Sequence, residues 1–318
     1  MASLIVAVSP ATGADNQGVA TSPDGVTWTA HSVPVTVSRT YKDVIYADGQ
    51  FVVVVNASFG SENKVATSPD GATWTDHPPN TSAWSGITHG AGTYVAVATS
   101  GPARVMTSPD GVTWTTQTPA AVEAWVSVAY GAGLFVAVAS SGTGTARVMT
   151  SPDGVTWTMR SATAANAWLD VIYAGGQFVA TAFNGTDRVM TSPDGITWTP
   201  RSAAAAYSWR SLAYGAGTYV AVSSAAGSPS TTGYVMTSPN GVSWTLRTPP
   251  ELNFWTSVTY GGGQFIAVAE TGTNRVMTSP DGVTWTAQAI PSRLWQGVCV
   301  GELAVVGGIY RDGRVHLS

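Results

Sequence analysis

Thr150-Ser151-Pro152-Asp153-Gly154-Val155-Thr156-Trp157-Thr158 is a tight turn between two strand ends, and near-copies of it begin at Thr21, Thr67, Thr107, Thr191, Thr237 and Thr278. Proline presets φ at the second turn position, aspartate accepts from free backbone N–H groups, and glycine takes the positive φ that closes a hairpin. Arg147-Val148-Met149-Thr150 on one side and Val155-Thr156-Trp157-Thr158 on the other have the β-branched and aromatic residues of half-buried strands. The copies are spaced by 46, 40, 43, 41, 46 and 41 residues. Such a period marks a repeat architecture, in which each unit buries its apolar face against its neighbours.

One whole unit is legible between residues 125 and 166. Trp125 to Tyr130 reads as a first strand, Gly131-Ala132-Gly133 as a turn and Leu134 to Ser140 as a second strand. A loop, Ser141 to Thr145, leads to the third strand at Arg147, and the turn box leads to the fourth at Val155. Four short antiparallel strands make one blade of a β-propeller. First strands begin at Tyr41, Trp84, Trp125, Trp168, Trp209, Trp255 and Trp295, which predicts blades at about 41–83, 84–124, 125–167, 168–208, 209–254 and 255–294. The closing blade then combines 295–318 with 1–40. The prediction is an all-β, seven-bladed, single-domain propeller whose ring is closed by its N- and C-terminal strands. Leu303 to Val306 and Arg314 to Ser318 also read as strands and compete for the closing blade. Either this tail pairs elsewhere, or it displaces the N-terminal strands, or the two ends form partial blades of an eight-bladed or intermolecular arrangement.

The box resembles the Asp-box, the bacterial-neuraminidase-type repeat of roughly Ser-x-Asp-x-Gly-x-Thr-Trp found on propeller blades. Ser22, Asp24, Gly25, Thr27 and Trp28 match it in the first copy, and all copies lack the residue normally found between Asp and Gly. The resemblance implies a structural role for Asp24, Asp70, Asp110, Asp153, Asp194, Asn240 and Asp281. Asn240 keeps the acceptor without the charge, which favours hydrogen bonding over calcium ligation. Sialidases carry this repeat, but they need three arginines converging on a carboxylate. Here Arg104, Arg147, Arg188, Arg275 and Arg314 share one repeat position and Arg160, Arg201 and Arg247 share another, so they ring the fold instead. The Arg-Ile-Pro motif is absent as well.

Composition narrows the function further. The 318 residues are 44% apolar and 10% charged, enough for a large core, and the net charge is −4 with two lysines against twelve arginines. No basic run is present, so nucleic acid is not an expected partner. Cys299 stands alone in an apolar run, which excludes an internal disulfide and reads as a small buried residue. Leu4 to Val8 lacks a basic start and aligns with Phe135 to Val138, so it reads as a strand and not as a signal peptide. No membrane insertion is expected, because no apolar run approaches the roughly 20 residues a span requires. Release by lysis, as for virion proteins, or by another route without a signal peptide is therefore expected, with the protein on a virion or at a cell surface.

No catalytic constellation, cofactor motif or metal-ligand spacing is found. His31, His77, His89 and His316 are scattered, and no nucleophile elbow or phosphate loop appears. Asp43 and Asp170 fall inside first strands, where they could face the central channel as a carboxylate pair; their counterparts are Gly86, Ser127, Ser211, Ser257 and Gly297. Alternating strand direction puts the second-to-third loops and the blade connections on one face, and both vary between copies. Variable loops on a rigid scaffold are where function is usually carried. The candidate ligand-binding residues are the aromatics at that face, Tyr41, Trp84, Trp125, Trp168, Trp209, Trp255 and Trp295, with Arg104, Arg147, Arg188 and Arg275. Indoles stack on sugars and guanidinium groups bind hydroxyls or carboxylates, although packing between blades is the more ordinary use of these tryptophans and stacking would fall to some of them only. The expected function is a non-enzymatic, multivalent binding protein for a glycan or cell-surface receptor; the alternative is a structural virion protein docking to other virion proteins.

Overall fold

The structure is a computed structural model, and it describes residues 2–11, 17–33, 39–57, 64–77, 82–224, 234–303, 308–311 and 314–317. Among these there is no helix. Seven antiparallel sheets are arranged in a ring, and the first strand of each lies between the first strands of its two neighbours. Blade 3 is typical, with strands Ala124–Gly131, Leu134–Ser141, Val148–Ser151 and Thr158–Arg160 in that spatial order. Blade 1 carries a further short strand, Pro10–Ala11, against Arg39–Thr40 on its inner edge.

The closing blade settles the competition between the chain ends. Gly297–Leu303 is its first strand and pairs with Ala2–Val8, followed by Gln17–Ser22 and Thr29–Ser32. The N-terminal strands therefore hold the places that the tail could have taken. Gly308–Arg311 and Arg314–Leu317 pair only with each other, as a separate hairpin. Residues 304–307, part of the strand expected from Leu303, lie outside the described residues, as do most of the second-to-third loops at 56–63 and 224–233.

Each turn box is built as its sequence requires. In the third-blade copy Asp153 Oδ1 accepts from Val155 N at 2.9 Å and Thr156 N at 2.7 Å, and Ser151 Oγ accepts from Gly154 N at 2.8 Å. Gly154 has φ of 75°, and a Cβ there would stand 2.8 Å from Val95 of the preceding blade, so glycine is required twice over. The Trp157 indole folds back to donate to Gly154 O at 2.9 Å. An apolar cluster fills each inter-blade interface. Between blades 3 and 4, for example, Val136 and Val138 meet Trp168, Phe178 and Met190. Burial of this kind contributes about 25 cal/mol per Å2, and it is distributed evenly around the ring.

Candidate functional site

The first-strand aromatics are not at the surface. Trp84, Trp125, Trp168, Trp209 and Trp255 are fully buried, and Tyr41 and Trp295 are 1% exposed. They wedge between blades, and Trp125 Nε1 donates to Ala121 O at 3.0 Å, Trp209 Nε1 to Ala205 O at 3.0 Å and Trp295 Nε1 to Pro291 O at 3.0 Å. The sequence expectation that they stack on a ligand is therefore corrected: their faces are spent on packing, and the N–H groups of Trp125, Trp168, Trp209 and Trp295 on the preceding blade connection.

The arginine ring is corrected in the same way. Arg147 donates to four carbonyls: Gly144 O at 3.1 Å, Ser140 O at 3.1 Å, Gly142 O at 3.3 Å and, across the blade boundary, Asn166 O at 2.8 Å. Arg188 bonds Gly185 O, Phe183 O and, in the next connection, Tyr207 O at 2.8 Å. Arg104 and Arg275 reach Glu123 O and Arg293 O in the same fashion. These guanidinium groups are clamps that join each second-to-third loop to the following connection. Arg160, Arg201 and Arg247 are also engaged, each donating Nε to the first threonine of its box, and His31 and His77 bond the equivalent Thr21 and Thr67. Cys299 is buried, and burial pushes its thiol pKa well above the ordinary value, so it is a packing residue.

The cavity that the scaffold does build lies on its axis, at the variable-loop mouth of the central channel. A β-bulge creates it. In blade 3, Trp125 pairs with Ala139 and Ser127 with Val138, which leaves Val126 unpaired. The same slip sets aside Lys42, Leu169, Arg210 and Thr256 in their blades, and Ser85 in blade 2. Bulges re-aim side chains, and here the six bulged residues, joined by Gln296 of blade 7, line a cavity of about 210 Å3. A different residue stands at each blade, unlike the strands around them.

Beneath this rim the next residue of each strand forms a narrower polar neck. Asp43 Oδ2 accepts from Ile87 N at 3.0 Å, Ser127 Oγ from Val171 N at 3.3 Å, Asp170 Oδ2 from Leu212 N at 2.7 Å, Ser211 Oγ from Val258 N at 3.1 Å and Ser257 Oγ from Val298 N at 3.3 Å. Each side chain thus satisfies a backbone donor of the next blade that no strand can reach. Gly86 breaks the series because a Cβ there would lie 2.5 Å from Val126 O. Asp43 and Asp170 do face the channel, as the sequence suggested. Burial raises the Asp43 pKa to about 7 against the N–H bonds that lower it, with Asp170 raising it further, and burial raises Asp170 to about 6 against its Ser127 hydrogen bond. Beyond the neck the channel continues between Ile45, Ile172, Leu212 and Tyr173.

The rim carries its own electrostatics. Lys42 and Arg210 face one cavity, and Lys42 has its pKa lowered by burial and by Arg210, with Glu270 acting in the opposite direction. Arg210 Nε donates to Ser224 Oγ, and Gln296 Nε2 donates to Glu270 Oε1 at 2.5 Å. In the blade connections of the variable-loop face, Leu252 and Phe254 in one connection and Leu294 in the next are 49%, 40% and 52% exposed. Sequence reading missed Lys42, Arg210, Gln296 and Glu270. Among the described residues no group of three or more His, Cys, Asp or Glu side chains could hold a metal ion.

No protein-family model matches the chain, and no curated protein sequence matches it either. Solved structures do share its fold. YCF48 bound to a D1 peptide superposes with a TM-score of 0.60 at 16% identity, over 88% of this chain and 86% of that one. The nidogen/laminin complex gives 0.54 at 12% identity, over 82% and 97%. A computationally designed protein, Ika8, gives 0.52 at 15% identity, over 75% and 70%.

Proposed function

We propose that this chain is a non-enzymatic binding module that docks a protein partner on its variable-loop face, around the channel mouth. The observation that carries the reading is the rim: it is built by the same bulge in blade after blade, yet filled with a different residue each time. A scaffold needs the bulge and the neck beneath it, but it does not need Lys42, Arg210 or Gln296 above it. The exposed Leu252, Phe254 and Leu294 on the blade connections of the same face supply the apolar contact typical of a protein interface. Propellers of this shape are found bound to a D1 peptide and in a complex with laminin, consistent with such a role.

The neck supports the non-enzymatic part of the proposal. Asp43 and Asp170 are each committed to backbone donors of neighbouring blades, so neither is a free acid or base. The location on a virion or cell surface and the kinship with Asp-box propellers belong to the same proposal. Attachment to glycans is the second reading, and the exposed rings of Phe183 and Phe254 favour it, since they could stack on sugars where the buried tryptophans cannot. Labelled protein applied to whole bacterial cells, to cells shaved with protease and to a glycan array separates these readings. Saturable binding that shaving abolishes and that Leu252→Ser/Phe254→Ser weakens at least tenfold is expected. Binding that survives shaving and reappears on defined glycans would establish the second reading, and no binding to any surface would overturn both.

A further inference from the structure

We propose that the channel mouth receives a carboxylate side chain from a loop of the partner, gripped between Lys42 and Arg210; the inference rests on the protein-docking role proposed above. Two cations converging on one concave space is an arrangement that folding alone does not favour. Each raises the cost of the other, and low-dielectric walls focus their field into the opening. Glu270, whose charge acts on Lys42, accepts from Gln296. The acids below, Asp43 and Asp170, accept from backbone N–H groups in the neck. With those acids engaged, an anion is the group that would complement the two cations of the rim.

Size and surroundings narrow the anion to a side chain on a protein. The cavity, about 210 Å3 and lined below by the neck residues, admits a carboxylate and its stem. Arg210 is steadied through Nε by Ser224 and presents a planar guanidinium, the geometry suited to a carboxylate. A free inorganic anion would leave the exposed Leu252, Phe254 and Leu294 without contact, whereas an acidic loop on a partner covers them as it inserts.

The test is fluorescence anisotropy with a labelled oligoglutamate peptide, using oligoglutamine and oligolysine as controls, at low and at physiological salt. Saturable binding of oligoglutamate alone is expected, weaker as salt rises, and reduced about tenfold or more in Lys42→Gln/Arg210→Gln with an unchanged thermal melt. Should the double variant fail to fold, Lys42→Gln alone carries the comparison, because Lys42 lies in an unpaired bulge. Absence of saturable binding, or undiminished binding in a folded variant, overturns the inference. The cell assay separates its failure from that of the docking role: Leu252→Ser/Phe254→Ser losing attachment while Lys42→Gln/Arg210→Gln keeps it would retain the face and discard the carboxylate.

Discussion

Asn240 does for its turn what aspartate does for the others, accepting from Val242 N at 2.9 Å and Ser243 N at 3.0 Å. The box needs an oxygen acceptor at that position, and charge adds only the stronger bond that holds Asp110, for example, at a pKa of about 2 through the N–H groups of Thr113 and Val112. Two other residues carry predictions at this scale. Thr181 lies opposite Asp170, and its buried hydroxyl has no hydrogen-bond partner among the described residues. The same place holds Val54, Val97, Val138, Val222 and Val268 in other blades. Thr181→Val should therefore stabilise the protein by about 1–2 kcal/mol in a urea melt, the cost of an unmet buried hydroxyl; a loss of stability would mean that the hydroxyl is satisfied. Arg147 ties three carbonyls of its own loop to one, Asn166 O, in the following blade connection. Arg147→Met should cost about 2–3 kcal/mol, because carbonyls lose a charged donor, and hydrogen exchange should quicken in the loop at 140–146 before it does elsewhere.

At the scale of the strand, the hairpins, the number of blades and the order of strands were legible because turn chemistry and a period of some 40 residues repeat almost unchanged. The bulge was not legible by alternation. A regular strand would put Trp125 and Ser127 on one face, but the slip sends Trp125 toward blade 2 and Ser127 toward Asp170 of blade 4. A signal for it does exist in the sequence: the aromatic and the next core residue stand three apart in each first strand, as in Trp125 and Val128, Trp168 and Val171, and Trp209 and Leu212. Two anchors on one face at that spacing require an extra residue between them, and that residue is the one at the rim. The tryptophans were misread for a related reason, since position near a loop face says nothing of whether the next blade covers the ring. Trp125→Ala should cost about 3–5 kcal/mol, as cavities of that size do, and act on binding only through unfolding. A folded Trp125→Ala protein with a native melting temperature and lost attachment would contradict this.

The ring as a whole couples its stability to pH through two opposing sets of carboxylates. Asp43 and Asp170 are raised from 3.8 to about 7 and about 6 by burial in the neck, so the folded protein keeps protons that the unfolded chain releases. Stability therefore falls as pH rises from roughly 4 through 7, and levels off by about pH 8. The box aspartates behave oppositely: Asp24, Asp153, Asp194 and Asp281 are lowered by backbone N–H bonds, as Asp110 is, so their contribution is present above about pH 4 and is lost as pH drops through their folded values. His77, lowered by burial, tilts the neutral range slightly upward with pH. With two neck acids against one histidine, the melting temperature should peak near pH 4–5 and decline toward about pH 8. Replacing both acids isolates the cause without breaking the belt, because serine already accepts the neighbouring N–H in blades 3, 5 and 6. In Asp43→Ser/Asp170→Ser the decline above the peak should vanish while the acid limb stays. A decline that persists in the double variant would place the proton uptake outside the neck and remove the case for two buried acids at the axis of the ring.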